Sequence, residues 1–365
     1  RSASFLARHV LLRRPKAPAW SRVKVLAGLT TSIMDKITLS YGSGGVLTHK
    51  LVTEVFAAAF KNEYLDELDD SAVFDLGAGT YAYTTDSYVI DPIFFPGGDI
   101  GKLAVCGTIN DLASCAAEPK FLTAGFILEE GFAFRDLEKI VSSMAKEAKA
   151  QRVKIVAGDT KVVPRGKADK VFINTSGIGV VKKRLKPSLI KPGDTILING
   201  AIAQHGLSIL LSREKFSYKT AIKSDCNSLS GIVKLLLQKG IDVHFMRDAT
   251  RGGISAATNE IAGLCGYSLV LEEKRIPVTA PCRNIADILG LELLDIANEG
   301  KMLFFIAARD SAKAWRLLKS SHLGQEAAII GEVLKEKKGR VYLKTALGGE
   351  KALSSPLQEP IPRIC

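Results

Sequence analysis

The sequence predicts a mixed α+β protein of two domains, and three observations carry that expectation. Strand-like and helix-like stretches alternate through both halves, but without the strict strand-helix beat that a parallel doubly wound sheet requires. At 365 residues the chain is long enough to bury two cores. Between the halves, residues 182–192 turn basic and proline-containing, which marks a boundary. The expected division is an N-terminal domain over 34–186, a C-terminal domain over 187–346 and a flexible tail over 347–365, with a leading segment at 1–33.

The leading segment holds seven Lys or Arg and no acid, and Met34 opens a phrase that reads as a natural start. It is expected to be a disordered upstream stretch, a transit-like peptide being the other reading. A short apolar strand at 37–39 runs into Gly42-Ser43-Gly44-Gly45. A helix follows, since Leu47, Leu51, Val55 and Phe56 share a face. A glycine-rich loop entering a helix offers backbone N–H groups to an anion, although a plain glycine turn has the same composition. Gly77 to Ala82 matches the spacing of a dinucleotide fingerprint, but it precedes a strand (80–85) where the fingerprint precedes a helix, so it is rejected. A helix at 101–117, a strand at 121–128, a helix at 135–150 and strands at 153–156 and 171–181 complete the first half. In the second half the pattern predicts strands at 194–198, 267–271, 302–307, 328–333 and 340–343. Its helices are expected at 204–211, 229–237, from 253 to Gly266, and at 282–289 and 311–321.

Composition narrows the function. An apolar content of 47% with 24% charged residues is that of an ordinary globular protein, and no run of eighteen apolar residues suggests a membrane span. The net charge of +12 invites a nucleic-acid reading, but the leading segment accounts for seven of it, leaving +5 for the remainder. Neither nucleic acid nor membrane is an expected partner. None of the six cysteines forms a C-x-x-C pair and the five histidines do not cluster with them, so a zinc site or disulfide framework is not expected and a reducing cytoplasm is.

The chemistry is expected from separated acids and from the last residue. Asp69, Asp70, Asp86, Asp111, Asp159 and Asp248 stand at strand ends or beside glycines. Dispersed hard carboxylates suit Mg2+ when phosphate and water supply the other ligands, and the same positions also suit turns and caps. Asp111 fits the turn reading least, because it interrupts an apolar helix where an unpaired carboxylate is costly. No P-loop is present, so any ATP would be held by this acidic arrangement. Pro356, Pro360 and Pro362 stiffen the tail into an arm that, fully extended from Leu347, would span roughly 60 Å. It ends on the thiol of Cys365, whose thiolate is favoured by Arg363 and disfavoured by the carboxylate on the same residue.

Taken together, Gly42-Ser43-Gly44-Gly45, Asp69-Asp70-Ser71-Ala72-Val73, Thr85-Asp86-Ser87, Asn110-Asp111-Leu112-Ala113, Gly158-Asp159-Thr160-Lys161, Asp248-Ala249-Thr250-Arg251-Gly252-Gly253 and Asn298-Glu299-Gly300-Lys301 resemble, in order, the motifs of the aminoimidazole-ribonucleotide-synthetase-like ATP-binding superfamily. With Pro362-Arg363-Ile364-Cys365 and Gly-Asp-Thr-Lys-Val-Val at 158–163, the chain from Met34 onward resembles that superfamily's hydrogenase-maturation carbamoyl dehydratases. Tyr41 departs from the family, which commonly has histidine there. The resemblance implies an N-terminal domain forming a dimer-spanning β-barrel and a C-terminal α+β domain closing over Mg-ATP. It implies that a carbamoyltransferase, HypF, loads Cys365 with a carbamoyl group, which is dehydrated with ATP to an S-cyanide destined for iron on HypC and HypD. Asp86, Asp111 and Asp248 are then the expected Mg-ATP ligands, with Gly44, Gly45, Asp70, Asn110, Asp159 and Thr160 as further nucleotide contacts. Lys161 would stabilise charge on the reacting oxygen and Glu299 would act as base. The alternative is a small-molecule kinase of the same superfamily, for which Cys365 is irrelevant.

Overall fold

The N-terminal half is built on a five-stranded sheet. Its strands are β1 (Ala72–Leu76), β2 (Gly79–Tyr88), β5 (Ala117–Glu129), β6 (Lys154–Val163) and β7 (Val171–Val181), in the order β1-β2-β7-β5-β6. A two-stranded ribbon, β3 (Phe94–Phe95) and β4 (Gly98–Asp99), follows β2. All pairs of the larger sheet are antiparallel except β5 with β6. The computed structural model describes residues 45–51, 53–54, 71–77, 79–213, 222–357, 360–361 and 363–365. The leading segment, the strand expected at 37–39, Tyr41, Gly44, Asp69 and Asp70 lie outside the described residues.

Helix α1 (Gly45–Leu51) precedes the sheet, and α2 (Ile100–Ser114) and α3 (Phe134–Ala150) pack against it. α2 begins at Asp99, whose side chain caps the N–H groups of Gly101 and Lys102 at 2.8 and 3.1 Å. Its apolar residues run all round because both sides are covered, by β2, β7 and β5 on one and by the C-terminal half on the other. By contrast α3 is amphipathic and buries only Ile140, Met144 and Ala148. Gly177 on β7 lets α2 approach, since a Cβ there would lie 2.8 Å from Thr108.

The C-terminal half is a seven-stranded sheet of β8 (Thr195–Ile198), β9 (Val243–Asp248), β10 (Leu269–Glu272), β11 (Met302–Ile306), β12 (Ala328–Val333), β13 (Val341–Lys344) and β14 (Glu350–Leu353), in the order β14-β13-β10-β12-β8-β11-β9. Its helices are α4 (Gln204–Arg213), α5 (Ser230–Gln238), α6 (Gly253–Cys265), α7 (Ala280–Leu289) and α8 (Ser311–Lys319). Every residue of β9 and β11 is buried. The mixed α+β architecture in two domains is thus as expected.

Three strands differ from the sequence expectation. β6 does not stop at 156 but continues to Val163, because its register with β5 holds from Phe121 opposite Lys154 to Glu129 opposite Val163. The Gly-Asp-Thr-Lys stretch is therefore strand rather than loop. β9 carries His244, Arg247 and Asp248 and so lacks an apolar signature, yet it is central to the buried site. Residues 350–353, assigned to the tail, form β14 on β13 through a turn with Gly348 at φ +92°.

The end of the chain, expected as a flexible arm, is docked in this structure. Ile361 and Ile364 are buried and pack over Gly206, where a Cβ would lie 2.4 Å from Ile296 Cγ2, 3.2 Å from Ile364 Cδ1 and 3.4 Å from Ile361 Cδ1. Arg363 pairs with Asp169.

Candidate active site between the two domains

The site forms where the end of β2, the middle of α2 and the loop before β11 meet. Tyr88 lies 2% exposed at the end of β2 and donates to Asp86 Oδ2 at 3.0 Å. Burial pushes the Tyr88 phenol well above its ordinary range, and the Asp86 and Asp111 charges add to this, so it remains a donor. Gly107 is required beneath it, because a Cβ there would sit 2.3 Å from the Tyr88 hydroxyl. Asp111, the carboxylate that interrupts the helix, is half-buried and accepts from Thr84 Oγ1 at 2.9 Å. Two carboxylates, Asp86 and Asp111, are thus held at the domain interface by β2 and α2.

The facing wall is the Asn298-Glu299-Gly300-Lys301 turn. Asn298 accepts from Ala203 N–H at 2.8 Å and donates to Ala249 and Ile296 carbonyls at 2.9 and 3.1 Å. The buried Asp225 carboxylate takes the Glu299 and Gly300 N–H groups at 3.1 and 3.3 Å and the Lys301 ammonium at 2.8 Å. Gly300 is unavoidable here, as a Cβ would fall 2.0 Å from the Asp225 carbonyl oxygen. Burial alone would raise the Asp225 carboxyl, but Lys301 beside it outweighs that and holds it below the usual range. Glu299 has no such cation. Burial pushes its carboxyl well above the ordinary range, reinforced by Cys226, Asp248, Asp225 and Asp86.

Asn110 is a tie between domains. Its amide donates to the carbonyls of Asn227 and Glu299 at 3.0 and 3.4 Å, and its oxygen accepts from Leu229 N–H at 2.7 Å. Asp248 ends the buried strand β9 at the same interface, followed by a turn in which Gly252 and Gly253 both have positive φ and α6 begins. Asp86, Asp111 and Asp248 offer only oxygen donors, which suits a hard cation. Among the described residues no three His, Cys, Asp or Glu side chains converge into a metal cage.

The docked tail enters this cleft. Val89 N–H donates to Cys365 O at 3.1 Å and Asp91 N–H to Arg363 O at 3.4 Å, so the chain end lies alongside the continuation of β2, three residues beyond Asp86. His205 Nε2 meets Ile364 O at 2.7 Å. Burying two isoleucines contributes about 3–6 kcal/mol, and the hydrogen bonds add about 2–5 kcal/mol. Ordering six residues costs about 6–12 kcal/mol, so the docked and released tail are close in free energy. Of the other thiols, Cys106, Cys115, Cys226 and Cys282 are buried. Hydrogen bonding to Cys226 and burial push Cys106 well up, and burial raises Cys265 and Cys282.

Asp159, Thr160 and Lys161 are elsewhere. They lie on β6, exposed along its length, where Lys161 Nζ pairs with Asp159 at 2.5 Å. Across the sheet Tyr88 aligns with Ile173, Phe126 and then Thr160, three strand spacings or roughly 14 Å away. One protomer thus brings together Asp86, Asn110, Asp111, Asp248, Glu299 and Cys365 but not the β6 residues. Gly45 begins α1 at φ +75° against the Pro356 carbonyl, so it touches the stem of the tail. Sequence reasoning missed Tyr88, His205 and Asp225. Their roles depend on contacts with residues 20 to more than 150 positions away, and only Lys301, in a quoted motif, gave any signal for Asp225.

Two family models cover this architecture: the N-terminal domain of AIR synthase related protein matches residues 68–181 and the C-terminal domain matches 191–344. The fold and its interdomain cleft are those of that class. The chain is 44% identical over 331 residues to carbamoyl dehydratase HypE of Azotobacter vinelandii, covering 90% of this chain and 97% of that one. It superposes with a TM-score of 0.80 on a HypE–HypF complex, at 44% identity over 84% of this chain and 99% of the other. With HypE in complex with ATP the TM-score is 0.76, at 43% identity over 90% and 100% of the two chains. Within the AIR synthase related class, the chain belongs to the HypE carbamoyl dehydratase family.

Proposed function

We propose that this protein dehydrates an S-carboxamide on its own Cys365 to an S-cyanide at the expense of ATP, supplying cyanide for a nickel-iron hydrogenase centre. The observation that carries the reading is the seat of the tail, which brings Cys365 beside the acid-lined cleft. A kinase acting on a free substrate gives that seat no purpose. ATP turns the carboxamide oxygen into a phosphate ester, a group able to leave where hydroxide cannot. Both nitrogen protons must then be lost, and Glu299 stands as their acceptor once cations in the cleft ionise it. Asp86, Asp111 and Asp248 would hold Mg2+ with the phosphates, while Tyr88 fixes the Asp86 carboxylate by donating to it. Gly44 and Asp70 remain nucleotide candidates, and Asn110 would act by positioning the Glu299 loop.

Lys161 and Asp159 enter if a second copy covers β6. Among the described residues that strand pairs on one side only, and Val156 and Val162 on it are 57% and 67% exposed, an edge that a homodimer would close. HypF as carbamoyl donor and HypC with HypD as iron scaffold complete the pathway, set in the cytoplasm. Among the described residues no helix is long and apolar enough to cross a membrane.

The test is the intact mass of the protein after incubation with HypF, carbamoyl phosphate and ATP, with the modified peptide mapped. A carbamoyl adduct on Cys365 that loses one water only when ATP is present is the expected result. An unmodified Cys365 beside active HypF and demonstrable ATP hydrolysis sinks the reading in favour of the kinase.

A further inference from the structure

Each of the last three residues of the chain has its backbone oxygen taken by the protein. Asp91 N–H and the Arg213 guanidinium hold Arg363 O, Val89 N–H holds Cys365 O, and between them the imidazole of His205 holds Ile364 O at 2.7 Å. The His205 contact is the one of these made to the residue before the reactive cysteine, and it is built rather than incidental. His205 is fully buried at the start of α4, with the Phe95 ring edge-on to it at 5.6 Å. Its other nitrogen, Nδ1, lies 2.7 Å from Ser224 Oγ. A carbonyl oxygen can only accept, so Nε2 carries the hydrogen and Nδ1 accepts from the Ser224 hydroxyl. Ser224 is itself fixed, because its Oγ accepts from Cys226 N–H at 3.1 Å and its N–H donates to Pro96 O at 2.7 Å. The imidazole is thereby locked in one tautomer and one orientation.

We propose that His205 is a positioning residue for the dehydration: held by Ser224, it fixes the Ile364 carbonyl and so sets the place of the Cys365 sulfur in the cleft. It touches neither nucleotide nor reacting atoms and acts through the tail backbone. The seat reads backbone oxygens and the two buried isoleucines Ile361 and Ile364, so it fixes the register of the tail rather than the chemistry of the cysteine.

The proposal rests on Cys365 as substrate carrier, and its test has an arm that does not need the reaction. Without HypF or ATP, the rate at which iodoacetamide alkylates Cys365 is followed by mass of the C-terminal peptide. His205→Ala should raise that rate about fivefold, as expected for one lost hydrogen bond, and His205→Gln, whose amide can still donate to Ile364 O, should restore most of the protection. Ser224→Ala, which leaves the ring in place but unlocks it, should give an intermediate rate and guards against a His205→Ala chain that fails to fold. In the second arm, carbamoylated chains are given ATP in a single turnover. Water loss should slow in His205→Ala and recover in His205→Gln, with ATP affinity unchanged in both. Alkylation at the wild-type rate in both His205→Ala and Ser224→Ala overturns the seat. Faster alkylation with undiminished water loss overturns the positioning role. Failure of the wild-type chain to lose water, with protection intact, counts against the proposed reaction and not against the seat.

Discussion

The cleft between the domains and the edge strand β6 both carry motif residues of the family, but they hold them in opposite ways. In the cleft, Glu299, Asp225 and Lys301 are buried and each is fixed by several partners. On β6, Asp159 and Lys161 are exposed and bonded chiefly to each other. The cleft is organised within one chain, whereas β6 presents its chemistry outward, with one ladder side unpaired among the described residues. Burial gives the first region strong electrostatics at the cost of an unfavourable carboxylate, and exposure leaves the second weak until something covers it.

Four substitutions separate the roles of the buried cleft and the exposed strand. The largest effect belongs to Cys365→Ser, which should abolish carbamoyl loading and cyanide formation while leaving ATP binding, measured by calorimetry. Glu299→Gln should slow water loss about a thousandfold, within the usual range for a lost general base, without lowering the melting temperature at neutral pH. Its stability should also show linkage. The unfolded chain ionises Glu299 near 4.5, while the folded cleft binds the proton more tightly. The favourable difference is complete below that pH and is lost as pH rises from about 4.5 through the raised folded value. Glu299→Gln removes this loss, so melting curves of the two proteins should diverge as pH rises above about 4.5. Parallel curves would mean that the buried carboxyl titrates normally.

Lys161→Ala should cost about a hundredfold in water loss, the scale of one removed charge donor, with almost no change in stability because its ion pair is exposed. Mixing Lys161→Ala chains with Cys365→Ser chains decides the geometry. Regained activity in the mixture would mean that the tail of one chain uses the lysine of the other, no regain would mean that both come from the same chain, and full activity of Lys161→Ala by itself would remove β6 from the site. The smallest effect is that of Asn110→Ala, which should lower stability by about 1–3 kcal/mol through its unsatisfied interdomain partners, read from chemical denaturation.

Most elements of the fold were legible because the apolar period is local. β2, β7, α2, α3 and β11 fell close to their expected bounds, and the rejected fingerprint at Gly77 to Ala82 proved to span a turn into β2, with Gly77 at φ +58°. β9 was not legible, since a strand bearing His244, Arg247 and Asp248 is buried only through the neighbours that satisfy those groups. Asp86, Asp111, Asp248 and Glu299 were found as sequence motifs, and the structure brings them to one interface. The motif around Asn110 pointed to nucleotide, yet its amide is spent on tying the domains together.

The sequence by itself determined the class, the order of motifs and the chain-end thiol, because local spacing and residue chemistry are written in linear order. Tertiary structure settled which of those residues come together, which carboxyl burial pushes up, and where the tail docks within the single chain. Those properties depend on burial and on partners far apart in the chain, such as His205 with Ile364 and Asp225 with Lys301, and no linear pattern encodes a desolvation that exists only once the two domains have closed.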